Sequence, residues 1–237
     1  MSEYTPHLAP LVVMAFLGSV SLIGLSLLVL LYSAVRRSKF LGAASAGTAV
    51  SVILVYAGLL CAVSLTSRDQ VLPPGGWKRF CEADCHIAYS IAGVNTASLL
   101  GPELQQTSAN GQALIVRLKV WFDPSTISPH RGNGPLMTNP RRIVLVDDTS
   151  RSFAPWVEGE AALARLEGPA APLVQPLRPG DSFTTPLVFD VPAQTHGLRL
   201  LVTDDDPIWR FVIGDEDTPF HKKIYLDLGP MPALSGS

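Results

Sequence analysis

The chain has 237 residues, of which 47% are hydrophobic and only 16% charged, and its mean hydropathy is +0.28; it is too apolar for an ordinary soluble domain, so part of it belongs in lipid. Eighteen basic against twenty acidic side chains leave a formal net charge of −2, which provides no field for a polyanion and excludes nucleic acid as a partner. Three cysteines and 20 prolines exclude a disulfide-dense miniprotein and a purely helical bundle.

Residues 1–10 form a tail that carries Glu3 and no Lys or Arg. Leu11 to Val35 follows as 25 residues without a charge, and Phe40 to Ser67 as 28 more. At 1.5 Å per residue each run exceeds the ~20 residues that cross ~30 Å of hydrocarbon. Between them Arg36, Arg37 and Lys39 place three positive charges in a short loop, which the positive-inside rule retains in the cytoplasm. The sequence therefore predicts a two-span transmembrane hairpin over residues 11–67, with loop 36–39 inside and both termini outside. A cleaved signal peptide is not expected, because the basic start, short apolar core and small-residue cleavage site are missing. Gly42 with Ala46, Gly47 with Ser51, and Gly18, Ser21 and Gly24 supply small residues for generic hairpin packing. Cys61, Tyr32 and Tyr56 are the ionisable side chains within the runs, so the hairpin reads as an anchor rather than an ion pathway, and Cys61 as an inert thiol.

Residues 68–76, polar and rich in Pro and Gly, read as a linker, residues 77–230 as a β-sandwich domain outside the cytoplasm, and residues 231–237 as a flexible tail. In Gln112 to Phe122 the residues Leu114, Val116, Leu118, Val120 and Phe122 share one parity while Arg117 and Lys119 fall on the other, the period of a half-buried strand. Shorter strands are expected at Ile87–Ile91, Arg142–Val146, Ser182–Val191, Leu198–Val202, Trp209–Ile213 and Lys223–Leu228, several bounded by Pro, Gly or Asp turns. Glu158–Glu167 alone reads as a helix. About seven short strands at turn-bounded intervals suit an immunoglobulin-like antiparallel β-sandwich, with a small barrel as the alternative.

The order of a long alternating strand, LVDDTSRSFAP and LRPGDSFTTPLVFDVPAQTHGLRLLVTD resembles the telokin-like immunoglobulin domains of unknown function found in bacterial extracytoplasmic and membrane-anchored proteins. The matching parts are Ile143–Pro155, Leu177–Gly180, Val188–Pro192 and Leu198–Val202, and the likeness runs from about Tyr89 to Leu228. It implies that fold, an envelope location and a role in ligand or protein contact, with no catalytic residues to carry over. The helical hairpin in place of a lipid attachment site, and the two cysteines before the first strand, depart from that pattern.

The sharpest local feature is Cys81-Glu82-Ala83-Asp84-Cys85-His86. Two thiolates and an imidazole suit copper or zinc, and a cysteine pair outside the cytoplasm also suits a redox-active or structural disulfide. In an extended strand Cys81 and Cys85 would lie ~13 Å apart. In a tight turn they would lie ~6 Å apart, so any joint role requires the segment to turn before Ile87. The spacing resembles that of copper chaperones for cytochrome oxidase but lacks their following proline, and it is one residue longer than the c-type haem pattern. A disulfide clip Cys81–Cys85 is the preferred reading; a metal site of Cys81, Cys85 and His86 and a pair of unrelated thiols stay open.

Asp204-Asp205-Asp206 and Asp215-Glu216-Asp217 read as solvated turns rather than a calcium loop. Loop 125–140, with His130, Arg131, Leu136 and Met137, reads equally as a binding surface or as a variable loop. No catalytic motif is present, and His130, His196 and His221 stand apart along the chain. The expected protein is non-enzymatic: a multi-pass protein of the bacterial cytoplasmic (inner) membrane, held in the lipid bilayer by two helices. Its outer domain would bind an envelope protein or an extracellular ligand, without a cofactor. The alternative is a metal-handling or thiol-redox protein built on Cys81, Cys85 and His86.

Overall fold

The computed structural model describes residues 3–4, 9–82, 86–101 and 107–230. The chain divides into two compact units, one of residues 7–68 with 206–223, the other of residues 1–6, 69–205 and 224–237.

The first unit is built on α1 (Ala9–Arg36) and α2 (Lys39–Thr66), each of 28 residues and each long and apolar enough to cross a membrane. The turn between them closes tightly. Arg37 adopts a left-handed backbone (φ 53°), Ser38 caps α2 by accepting from the Leu41 amide, and the Ser33 hydroxyl donates to the Ser38 carbonyl at 2.7 Å. Further along, the Ser45 hydroxyl donates to the Ser26 carbonyl across the helix pair. A Cβ at Gly42 would lie 2.8 Å from the Ser33 hydroxyl oxygen, whereas one at Gly18, Gly24 or Gly47 would meet open space. Of the glycines expected in the packing seam, Gly42 is the one at a close approach. Polarity is inverted relative to a water-soluble helix pair: Ser26, Ser33, Ser45 and Ser64 are buried, while Leu17, Leu28, Leu31, Leu54 and Val55 are exposed.

Residues 206–223 belong to the same unit. The strand expected at Trp209–Ile213 is instead a 3-10 turn, Pro207–Phe211. Asp206 caps it by accepting from the Ile208 amide at 3.0 Å, and Pro207, with φ already set and no amide to satisfy, opens it. Five residues, one of them Arg210, carry too little periodicity to distinguish the two conformations.

In the second unit two separate five-stranded sheets account for most of the chain. The first runs in the order β1 (Glu3–Tyr4), β3 (Trp77–Cys81), β4 (His86–Leu100), β5 (Thr107–Asp123), β10 (Ser182–Val191). The second runs β2 (Gln70–Leu72), β12 (Ile224–Asp227), β11 (Arg199–Asp204), β7 (Arg141–Val146), β8 (Ser152–Phe153). A small ladder joins β6 (Leu136–Met137) to β9 (Pro176–Leu177). Pairing is antiparallel except β1 with β3 and β2 with β12. β2 lies within the stretch expected to be linker; its inward Leu72 is 1% exposed, and three residues are too few to show alternation.

One apolar core draws on both sheets, with Leu118, Phe122 and Phe189 from the first and Leu145, Leu200 and Leu226 from the second. Burying each of these contributes about 1.5–3 kcal/mol. The alternation of β5 holds: Leu114, Val116, Leu118, Val120 and Phe122 are fully buried. Ala113 and Ile115 on its other face are buried as well, because α3 (Val157–Glu167) covers them with Ala162 and Leu163, joined by Val188 of β10. Beside this region a Cβ at Gly111 would sit 2.2 Å from the Val191 carbonyl oxygen, so only glycine fits the end of that ladder. The turn after β7 is knotted by Asp147, whose carboxylate accepts from the amide and hydroxyl of Thr149 and from the amide and Nε of Arg151. Burial pushes the Asp147 carboxyl up, but these bonds outweigh it and bring it down to about 2.

Candidate functional site

β3 and β4 form a hairpin in which Lys78 faces Tyr89, Phe80 faces Ile87 and Cys81 faces His86. The chain turns between Cys81 and His86, as a joint role for the motif requires, and brings a thiol and an imidazole to facing positions on one ladder. Both side chains are half-buried. The His86 amide donates to Thr126 Oγ1 at 3.0 Å, and that hydroxyl donates to the Asp123 carbonyl. Residues 83–85 lie outside the described residues, and with them Cys85 and the clip and metal set expected from it. Among the described residues no group of three or more His, Cys, Asp or Glu is placed to hold a metal ion.

The residue of the motif that the structure makes prominent is Glu82. It is 5% exposed, its carboxylate accepts from the Asn139 side-chain amide, and it pairs with Arg141 at the start of β7. The Arg141 guanidinium also pairs with Asp204 of β11 and lies 4.2 Å from the centre of the Phe80 ring. One cation thus joins the end of β3 in the first sheet to β7 and β11 in the second. Lys78, 1% exposed, makes a second cross-sheet tie: its ammonium donates to the carbonyls of Val202 at 2.6 Å and Ile224 at 2.9 Å, with the Phe80 ring 5.2 Å away. Phe80 in turn meets Tyr89 edge-on at 5.4 Å. On the opposite face of β3, Arg79 binds Asp123 at 2.8–2.9 Å.

Burial dominates the electrostatics. It pushes the Glu82 carboxyl up, against the pull of Arg141 and Asn139, and it pushes the Tyr89 phenol up, against Arg141. Burial also acts on Asp123, where hydrogen bonds from Ser125 and Arg79 outweigh it and hold the carboxyl low. The arrangement spends its charges on one another and fixes the hairpin end that carries Cys81 and His86. Sequence patterning missed it: Lys78, Arg79 and Arg141 carry no reading there and Glu82 figures only within the cysteine motif, although three charges within Lys78–Glu82 at a strand end were an available signal.

The remaining candidates are dispersed. The acidic residues act locally: Asp204 on Arg141, Asp206 as a cap, Asp215 accepting from the Asp217 amide at 2.8 Å, and Asp217 pairing with Lys223 at 3.0 Å. Burial, with the charges of Asp217 and Glu216 adding to it, pushes the Asp215 carboxyl up to about 7. The loop over 125–140 is tied down by Arg131, which donates to the Gly134 carbonyl at 2.9 Å and lies 5.0 Å from the Phe122 ring, and by the β6–β9 ladder. Arg36, Arg37 and Lys39 stand at the tip of the helix hairpin.

No protein-family model matches the chain, and no curated protein matches it. Two solved structures are similar to it. A conserved hypothetical protein from Bacillus anthracis matches at 12% identity over 53% of this chain and 85% of that one, with a TM-score of 0.36. The yjhA protein from Bacillus subtilis matches at 15% identity over 66% of this chain and 98% of that one, with a TM-score of 0.39. Likenesses of this size carry no conclusion about fold or function.

Proposed function

We propose that the chain is a membrane-anchored, non-enzymatic interaction module of a bacterial envelope. Its two apolar helices span the cytoplasmic membrane, with Arg36, Arg37 and Lys39 on the inner side. Its two sheets form an immunoglobulin-like sandwich of the telokin-like type outside the cytoplasm, where it binds an envelope protein or an extracellular ligand. The observation that carries this reading is the inverted polarity of the helix pair: serines inside, leucines and valines outside, an arrangement that water penalises and hydrocarbon rewards. The buried ties at the β3–β4 end support a binding scaffold, because they join the two sheets and hold that end of the hairpin rigid.

Topology tests it directly. A phosphatase reporter fused after Ser237 is expected to be active in intact cells. Replacing Arg36, Arg37 and Lys39 by Glu while adding three lysines to the tail is expected to reverse it. A cytosolic C-terminus in the unaltered protein overturns the reading.

A second reading, metal handling or thiol redox chemistry, draws on the facing positions of Cys81 and His86. It expects the reduced full-length chain to take up about one copper(I) or zinc ion, and Cys81→Ser to abolish uptake. No uptake by the reduced protein rejects it.

A further inference from the structure

We propose that residues 206–223 are a membrane-inserted wedge, seated at the boundary between headgroups and acyl chains of the outer leaflet of the same bilayer that holds α1 and α2. The inference rests on the two-span reading and adds a third point of contact with lipid.

Depth follows from helix geometry. With Lys39 at the inner boundary, ~30 Å of hydrocarbon ends about 20 residues further along α2, near Leu59. α2 continues to Thr66, roughly 10 Å beyond that boundary at 1.5 Å per residue. Tyr56 therefore lies just inside the outer edge of the hydrocarbon, and its hydroxyl donates to the Phe211 carbonyl at 2.6 Å. A second bond fixes the other end of the segment higher up, where the Lys222 amide donates to the Ser67 hydroxyl at 2.8 Å. Between these two ties the segment rises along α2 from the acyl-chain boundary at Phe211 to headgroup level at Lys222.

Its surface fits that position. Ile208, Phe211 and Phe220 are 47%, 59% and 70% exposed, a cost in water with no evident return, and Phe220 is held in a left-handed backbone (φ 68°) that a bulky residue adopts only under constraint. Trp209, half-buried, and the exposed Arg210 beside it suit the interfacial layer, where an indole is favoured and a guanidinium reaches up to phosphate.

Several of its backbone groups are bonded within the segment, which lowers their cost next to lipid. The Ile208 amide goes to Asp206, the Val212 amide to the Trp209 carbonyl, the Asp215 amide and the Thr218 hydroxyl to the Val212 carbonyl, the Thr218 amide to Asp215 and the His221 amide to Thr218.

The test uses the full-length chain in phosphatidylcholine vesicles whose lipids are brominated either near the top of the acyl chains or near their ends. Neither helix contains a tryptophan, so quenching by bromine reports the rest of the protein. In a Trp209→Phe background, Phe211→Trp and Phe220→Trp are each expected to add emission that shallow bromines quench several-fold more strongly than deep ones. The Trp209→Phe parent, which keeps Trp77, Trp121 and Trp156, supplies the baseline from which each added signal is read. If the vesicles carry the protein through flotation and carbonate washing but neither introduced tryptophan is quenched, the wedge is wrong while the anchor stands. If the protein fails to float, the anchor itself is wrong and the wedge falls with it.

Discussion

Removing the Arg141 side chain gives the most direct measure of what the buried ionic tie contributes. The pair Arg141–Glu82 is 1% and 3% exposed at its side chains, and Asp204 is 12% exposed. Arg141→Met keeps most of the side-chain volume but leaves two carboxylates in the interior without their cation, which costs about 3–5 kcal/mol. For a unit of this size each kcal/mol moves the midpoint by about 2–4 °C, so Tm is expected to fall by about 6–20 °C. The assay is a thermal melt of the full-length chain in detergent, followed by near-ultraviolet circular dichroism, which reads aromatic packing, that of Phe80, Tyr89 and Trp121 included, rather than helix content. Glu82→Gln in the same background should recover part of the loss, giving a coupling of about 0.5–3 kcal/mol in the double-mutant cycle. Acidity supplies an independent check. Burial already raises the Glu82 carboxyl, and loss of Arg141 raises it further, so folding of the Arg141→Met protein takes up a proton. A group whose folded pKa lies above its unfolded one gains stability as pH falls, and the deficit of Arg141→Met should shrink from pH 8 toward pH 5 and lose that dependence with Glu82→Gln. A Tm change below about 2 °C, or strictly additive losses in the cycle, would refute the assignment of a coupled interior ion pair.

Gly111→Ala should cost about 1–3 kcal/mol, because the added carbon would meet the Val191 carbonyl at 2.2 Å; equilibrium unfolding in urea tests it, and a neutral outcome would mean that the β5–β10 ladder ends elsewhere. Asp215, with its carboxyl at about 7 against 3.8 ordinarily, destabilises the fold of residues 212–218 when ionised. Amide exchange there should slow progressively as the pH is lowered from 8 toward 4, beyond the intrinsic chemical effect, and Asp215→Asn should abolish the excess. Asp147→Ala removes the acceptor for two amides, a hydroxyl and a guanidinium, so limited proteolysis should cut within 147–153 in that variant and spare the parent; equal resistance would show that the turn holds without its carboxylate.

Much of this architecture was legible because it rests on local patterns. Uninterrupted apolarity from Leu11 and from Phe40 marks α1 and α2 to within a few residues, the parity of Leu114 to Phe122 marks β5, and the Ala- and Glu-rich stretch marks α3. What escaped is set by contacts distant in sequence. Lys78 and Arg141 are buried only because carbonyls and carboxylates from β11, β12 and the end of β3 converge on them, and no window of sequence carries that information. Ala113 and Ile115 read as the solvent side of a half-buried strand until α3 is laid over them. Trp209–Ile213 read as a strand because Trp209, Phe211, Val212 and Ile213 are good strand residues; the Asp206 cap and the Tyr56 hydroxyl on the Phe211 carbonyl accompany a 3-10 turn over Pro207–Phe211 instead. Within the candidate site, spacing required a turn before Ile87 only for a joint role of the cysteines, whereas Glu82 is held by Arg141 and Asn139, more than fifty residues away, which no local pattern announces.

β5 is a party wall between two apolar compartments. Its even-numbered side chains from Leu114 to Phe122 fill the larger one and Ala113 with Ile115 close the smaller, so α3 cannot lift away without wetting the strand on which the larger compartment depends. A ligand that pulled on α3 would therefore be felt across the width of the domain, one side chain's alternation away from the sheet beyond.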